Sequence, residues 1–89
     1  MFILKEKSMK TNDLKRGARV MLANGWEADI MDNMKGNTRM ARVYGFETEI
    51  GSVYSHDIVA VRVNGEWVDV EHTKDQDKLR SQLDKIFSV

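Results

Sequence analysis

The sequence predicts a mainly β domain: a five-stranded antiparallel barrel followed by one C-terminal amphipathic α-helix. Three observations carry this expectation. Two Asn-Gly pairs, Asn24-Gly25 and Asn64-Gly65, stand between short runs of alternating apolar and polar residues, the pattern of strands joined by tight hairpin turns. Apolar residues recur with a period near two through most of the chain up to Val70, which suits strands half-buried on a core. From Thr73 onward the period lengthens to that of a helix with one apolar face.

Residues 1–16 read as a lead-in, either flexible or lying along a sheet edge. They hold five basic and two acidic side chains with little periodicity. Within them Phe2, Ile3 and Leu4 are apolar enough for a short strand, and Met9 is a second candidate start. The barrel is expected over 17–72. Its first strand is Ala18–Leu22, and the second, Trp26–Asp32, follows the Asn24-Gly25 turn with Ala28 and Ile30 on one face. Asn33–Thr38, with Gly36-Asn37 inside it, reads as a loop. In the third strand, Arg39–Phe46, alternation sets Ala41 and Val43 against Met40, Arg42, Tyr44 and Phe46. Glu47–Ser52, which contains Gly51, reads as a further loop. Asp57–Val63 is the clearest strand, and Glu66–Val70 returns from the Asn64-Gly65 turn with Val68 and Val70 inward and Trp67 opposite them. The helix is expected over 73–89, packed on the barrel. Thr73 and Gln76 stand three apart as in a capping box, and Leu79, Leu83, Ile86 and Phe87 share one face. That face either closes an open barrel end or pairs with a partner or a second copy.

Composition narrows the function classes. At 89 residues the chain is one domain, able to bury roughly 60–65% of its unfolded surface. Its 42% apolar and 31% charged content is that of a folded chain. There is no cysteine, which excludes disulfides, thiolate metal sites and cysteine nucleophiles. The apolar opening Met1–Leu4 is far shorter than a signal-peptide core or a membrane span, so no membrane association is expected and the chain is placed in the cytoplasm.

Fourteen basic residues balance fourteen acidic ones, but unevenly along the chain. Residues 1–42 carry nine basic and five acidic side chains, residues 43–72 one basic and six acidic, and residues 73–89 four and three. A bipolar pattern of this kind favours an electrostatically complementary partner, or weak self-association, over general affinity for phosphate.

Leu14–Val20 and Asn24–Ile30 resemble the opening of SH3-like and KOW-like barrels, in which a glycine precedes the first strand. Ala28 stands where the KOW loop carries a second glycine. Asn24–Trp26, Asp32–Arg39 and Gly51–Ile58 together resemble short bacteriophage proteins of unassigned function. That resemblance implies an accessory or host-directed interaction protein acting in the cytoplasm of a host cell, with a host protein as its partner.

No chemistry of catalysis is written plainly in the chain. His56-Asp57 with Tyr54 and Ser55 is the most reactive-looking cluster, but neighbours in a strand point to opposite faces. His56, Asp57, Glu71 and His72 lack metal-ligand spacing. Asp32–Asn37 looks like an ion loop, yet Lys35 interrupts it and no terminal bidentate Glu follows. Neither a phosphate-cradling glycine loop nor a nucleophile elbow is present, so no cofactor and no metal are expected.

A non-catalytic binding module is therefore the expectation, a monomer or weak homo-oligomer directed at a protein. Met40, Arg42, Tyr44, Phe46 and Trp67 are its candidate contact residues, since Met, Arg and aromatic side chains are enriched where interfaces desolvate. The alternative is nucleic-acid binding through the basic half: Lys15, Arg16, Arg19, Lys35 and Arg39, joined by Lys10 and Arg42, with Trp26 and Tyr44 as stacking surfaces.

Overall fold

The computed structural model describes residues 8–87. The strand suggested for Phe2–Leu4 lies outside them. The chain is mainly β with one C-terminal helix: β1 (Ser8–Lys10), β2 (Arg19–Leu22), β3 (Glu27–Ile30), β4 (Thr38–Tyr44), β5 (Thr48–Tyr54), β6 (Ile58–Val63), β7 (Glu66–Glu71) and α1 (Lys74–Phe87). Short 3-10 turns at Thr11–Asp13 and Ser55–Asp57 lead out of β1 and into β6.

Among the described residues seven strands form one open sheet in the order β1-β7-β6-β2-β3-β4-β5, where a five-stranded barrel was expected. One addition is β1, which runs parallel to β7. The other is β5, which occupies the segment read as a loop. Thr48–Tyr54 pairs antiparallel with Thr38–Tyr44 along its whole length, and Gly51 sits opposite Ala41 rather than in a turn. An edge strand paired on one side only needs no strong apolar alternation, so its mixture of Thr, Glu, Gly and Ser concealed it.

The two Asn-Gly hairpins differ. Asn64 and Gly65 both have positive φ, 52° and 83°, which gives the two-residue turn whose twist matches the strands. At the first hairpin only Gly25 is left-handed. The Gly25 N–H donates to the Leu22 carbonyl and the Leu22 N–H to the Trp26 carbonyl, closing a three-residue loop with a bulge.

The core is aliphatic. Leu14, Val20, Leu22, Ala28, Ile30, Ala41, Ile58, Val61 and Val70 are buried together, flanked by Met9, Ala18, Val43, Val53, Val63 and Val68. The aromatic residues Trp26, Tyr44, Phe46, Tyr54 and Trp67 all lie outside it.

One polar network joins four parts of the chain. Arg39 is 1% exposed. Its Nη2 donates to the Thr11 carbonyl (2.9 Å) and to Asn12 Oδ1 (3.2 Å), and its Nε to Ser55 Oγ. Ser55 Oγ donates in turn to the Gly36 carbonyl. Asn12 Oδ1 and the Gly36 carbonyl also accept from Gln76 Nε2 of α1. Gln76 completes a capping box as well: its N–H donates to Thr73 Oγ1 and its Oε1 accepts from the Thr73 N–H. The helix is thus anchored by its first turn. Leu79 and Leu83 are half-buried, and Ile86 is exposed. Among the described residues no helix is long and apolar enough to cross a membrane.

Candidate functional site

The residues singled out in the sequence fall in several separate places. Met40, Arg42 and Tyr44 share the outer face of β4, as alternation requires. Met40 faces Ser52 across the β5 ladder, and Arg42 stands between Asp29 of β3 and Ile50 of β5. Phe46 does not join them. The chain turns at Gly45, and Phe46, 96% exposed, meets Trp26 edge-on with ring centroids 5.4 Å apart. The bare Gly45 lets the Trp26 indole rest against the chain, because a Cβ on it would overlap the ring in this position. Trp67 lies on β7, separated from β4 by three intervening strands. It is half-buried, with the Arg62 guanidinium 5.3 Å from its ring centre.

The middle of the outer face is occupied by its own ion cluster. Arg19 Nε donates to Asp29 Oδ1 (2.6 Å) and its Nη1 to Glu27 Oε1 (3.1 Å). Tyr44 donates its hydroxyl to Asp29 Oδ2 (2.6 Å), and the Arg19 guanidinium lies 4.7 Å from the Tyr44 ring centre. The Asp29 hydrogen bond, partly opposed by burial, raises the Arg19 pKa. For Asp29, burial alone would raise the carboxyl. The Tyr44 and Arg19 hydrogen bonds outweigh it and hold the pKa below the ordinary value. Register dictates the cluster, since Arg19 faces Asp29 and Glu27 faces Tyr44.

This arrangement breaks up the basic surface that nucleic acid would need. Arg19 is committed to two carboxylates. Arg39 is not a surface residue at all: it shares the inward parity of Ala41, and burial lowers its pKa while Asp32 partly opposes that shift. Lys15 and Lys35 line one cleft of about 510 Å³ with Asn12, Asp13, Leu14 and Asn33. Arg16 is exposed nearby, its backbone N–H held by Asn33 Oδ1. Trp26 stands beside Phe46 instead of with these cations.

His56 and Asp57 occupy a 3-10 turn, not a strand. His56 Nε2 is 3.6 Å from Asp57 Oδ1, its Nδ1 is buried without a partner, and its ring stacks on Tyr54 at 5.0 Å. His72 Nε2 contacts the Ile58 carbonyl. Among the described residues no three His, Asp or Glu side chains gather closely enough to hold a metal ion.

The sheet does not close, and a seam is left between β5 and the Leu22–Trp26 turn. Two clefts flank β5. One, about 270 Å³, is lined by Trp26, Val43, Phe46, Glu47 and Glu49. The other, about 280 Å³, is lined by Leu22, Ala23, Asn24, Ser52, Val53, Tyr54 and Asp57. Both are thus bounded by β5 or its flanks on one side and by the Leu22–Trp26 turn on the other. Tyr54, 42% exposed, lines the second of them, while Met40 and Ile50 are exposed on the outer face of the same two strands. The sequence reading singled out neither Glu47 nor Glu49, which line one cleft, and named Tyr54, which lines the other, only with His56-Asp57. The available signal was charge: residues 43–61 contain Glu47, Glu49 and Asp57 and no Lys or Arg.

Comparison with protein-family models, with curated proteins and with solved structures finds no match to this chain, so the functional reading rests on the geometry.

Proposed function

We propose that the chain is a small non-catalytic protein-binding module on an SH3-like frame, with its contact surface at the β4–β5 side of the sheet. The frame is supported by connectivity. β2 to β5 form a meander, and after a 3-10 turn β6 returns to pair with β2, the path of a small, partly open barrel. One observation carries the binding reading: the aromatic residues stand outside an aliphatic core, with Phe46 almost wholly in solvent against Trp26. Burying large apolar rings is a strong source of folding energy. A Trp–Phe pair left at the surface supplies instead the anchor type that dominates protein interfaces.

The test is affinity selection from a random peptide library on the immobilised protein, followed by affinity measurement of the selected ligands. Phe46→Ala is expected to weaken them by about tenfold or more, the scale of an interface anchor. Met34→Ala, which alters an exposed methionine in the distant Asp32–Asn37 loop, leaves them unchanged. Ligands indifferent to Phe46→Ala, or a selection that yields none, contradict the reading.

A further inference from the structure

We propose that the open seam receives an extended, basic segment of a partner protein, which pairs along β5 as an eighth strand. The inference rests on the protein-binding reading above and names the partner's chemistry and mode of attachment.

The first ground is the free ladder. Among the described residues β5 is the terminal strand of the sheet, seven residues long, and pairs only with β4. On such a strand alternate residues turn their N–H and C=O groups away from the neighbour, and those groups template another chain. Proteins usually suppress this with lysine, proline or a very short edge. Thr48–Tyr54 has no lysine and no proline, and its one charged residue is Glu49. Gly51, at its centre, has open space where a Cβ would lie, so no side chain crowds that point of the strand.

The second ground is shape. The two clefts run beside the two ends of this strand and share the Leu22–Trp26 turn as their far wall. A segment in the seam therefore has one side that offers backbone hydrogen bonds and another that offers Leu22 and Trp26 as apolar contact. Main-chain bonds supply affinity in strand addition, and the clefts supply side-chain choice.

The third ground is charge, which selects the occupant. Glu47 and Glu49 stand at one cleft and Asp57 at the other, with no Lys or Arg anywhere in 43–61 to neutralise them. Lysine or arginine side chains on the guest would meet these carboxylates, with the faces of Trp26, Phe46 and Tyr54 nearby for cation–π contact. A second copy of this chain fits poorly. Pairing β5 with another β5 brings two such acidic sets together, and like charges across an interface are repelled.

The experiment uses a capped heptapeptide alternating lysine with valine or isoleucine, titrated at low salt into the ¹⁵N-labelled full chain. Amide resonances of Thr48–Tyr54 and Leu22–Trp26 are expected to move together, and the outward amides of β5 to exchange more slowly with solvent. Glu49→Lys is expected to weaken binding about fivefold or more, and raising the salt to weaken it further, as charge steering requires. Replacing the peptide's lysines with glutamates, or its central residue with proline, should abolish the response. Movement confined to Trp26 and Phe46, with β5 unaffected, overturns strand addition but leaves the protein-binding reading standing. No movement at millimolar peptide overturns the proposal, while the Phe46→Ala selection decides the broader reading separately. Because the chain has no native cysteine, oxidation of Gly51→Cys adds a check: efficient disulfide dimers would show that a second copy occupies the edge and would overturn the basic partner.

Discussion

Among the described residues the sheet has two edges, and they are finished differently. β1 spans Ser8–Lys10 there and ends in a cation. Ser8 hydrogen-bonds Glu71, and immediately after the strand Thr11 Oγ1 donates to the Glu71 carbonyl. The buried Arg39 then clamps Thr11 and Asn12 from beneath. β5 is seven residues long, carries no cation, exposes Ile50 and Tyr54, and faces a cleft at each end. A charged, tied-down edge is protected against further pairing. The contrast teaches that this fold can finish an edge and does so at β1, which makes the open state of β5 a property to be explained by what it meets.

The largest effect is expected from making the protected edge resemble the open one. Arg39→Met removes the donor that holds the Thr11 carbonyl and Asn12 Oδ1 and leaves those acceptors less satisfied in the interior. A loss of about 2–4 kcal/mol is the scale for breaking a buried charged network. Chemical denaturation reads it, and hydrogen exchange should show Ser8–Lys10 opening first. A loss under about 0.5 kcal/mol would mean that relief of the buried guanidinium's desolvation offsets the hydrogen bonds it makes.

Gly45→Ala sharpens the comparison from the opposite side. The added methyl displaces the partly exposed Trp26 indole, at a cost below the roughly 1–3 kcal/mol of overpacking a core, and separates the Trp26–Phe46 pair while the β1 edge keeps its bonds. Tryptophan fluorescence and binding of selected ligands should both change, whereas exchange at Ser8–Lys10 should not. Unaltered fluorescence would mean that the indole does not rest on Gly45.

The smallest effect lies between the edges, in the Arg19–Asp29–Tyr44 cluster. The Asp29 pKa is depressed below its ordinary value of 3.8. Its contribution to stability is therefore fully present above that value and is lost as pH falls through the lower folded-state value. Acid titration of stability should show a decline beginning below about pH 4, and Asp29→Asn should shrink that slope. An identical slope in the variant would show that the carboxylate contributes nothing through its charge.

Much of this architecture is legible in the residues. Asn64-Gly65 specifies its turn through two positive φ angles, and Thr73 with Gln76 specifies the start of α1, because both are local devices. Parity along β4 also marks Arg39 as inward, beside Ala41 and Val43. Its charge invited a surface reading, since the backbone carbonyl and side chains that accept from it come from Thr11, Asn12 and Ser55, remote in sequence. Phe46 has the parity of Met40, Arg42 and Tyr44 but leaves their face because Gly45 turns the chain under Trp26. β5 was hidden for a more general reason. A strand that pairs on one side and opens to a cleft on the other is not compelled to alternate, and the surface it presents arises only once the sheet stays open.

Hydrogen exchange of the two edges, measured with and without a ligand from the peptide selection, tests the central claim most directly. The account predicts new protection at Thr48–Tyr54 and along Leu22–Trp26, with Ser8–Lys10 unchanged. Protection that appears instead at Ser8–Lys10, or only on α1, would contradict it.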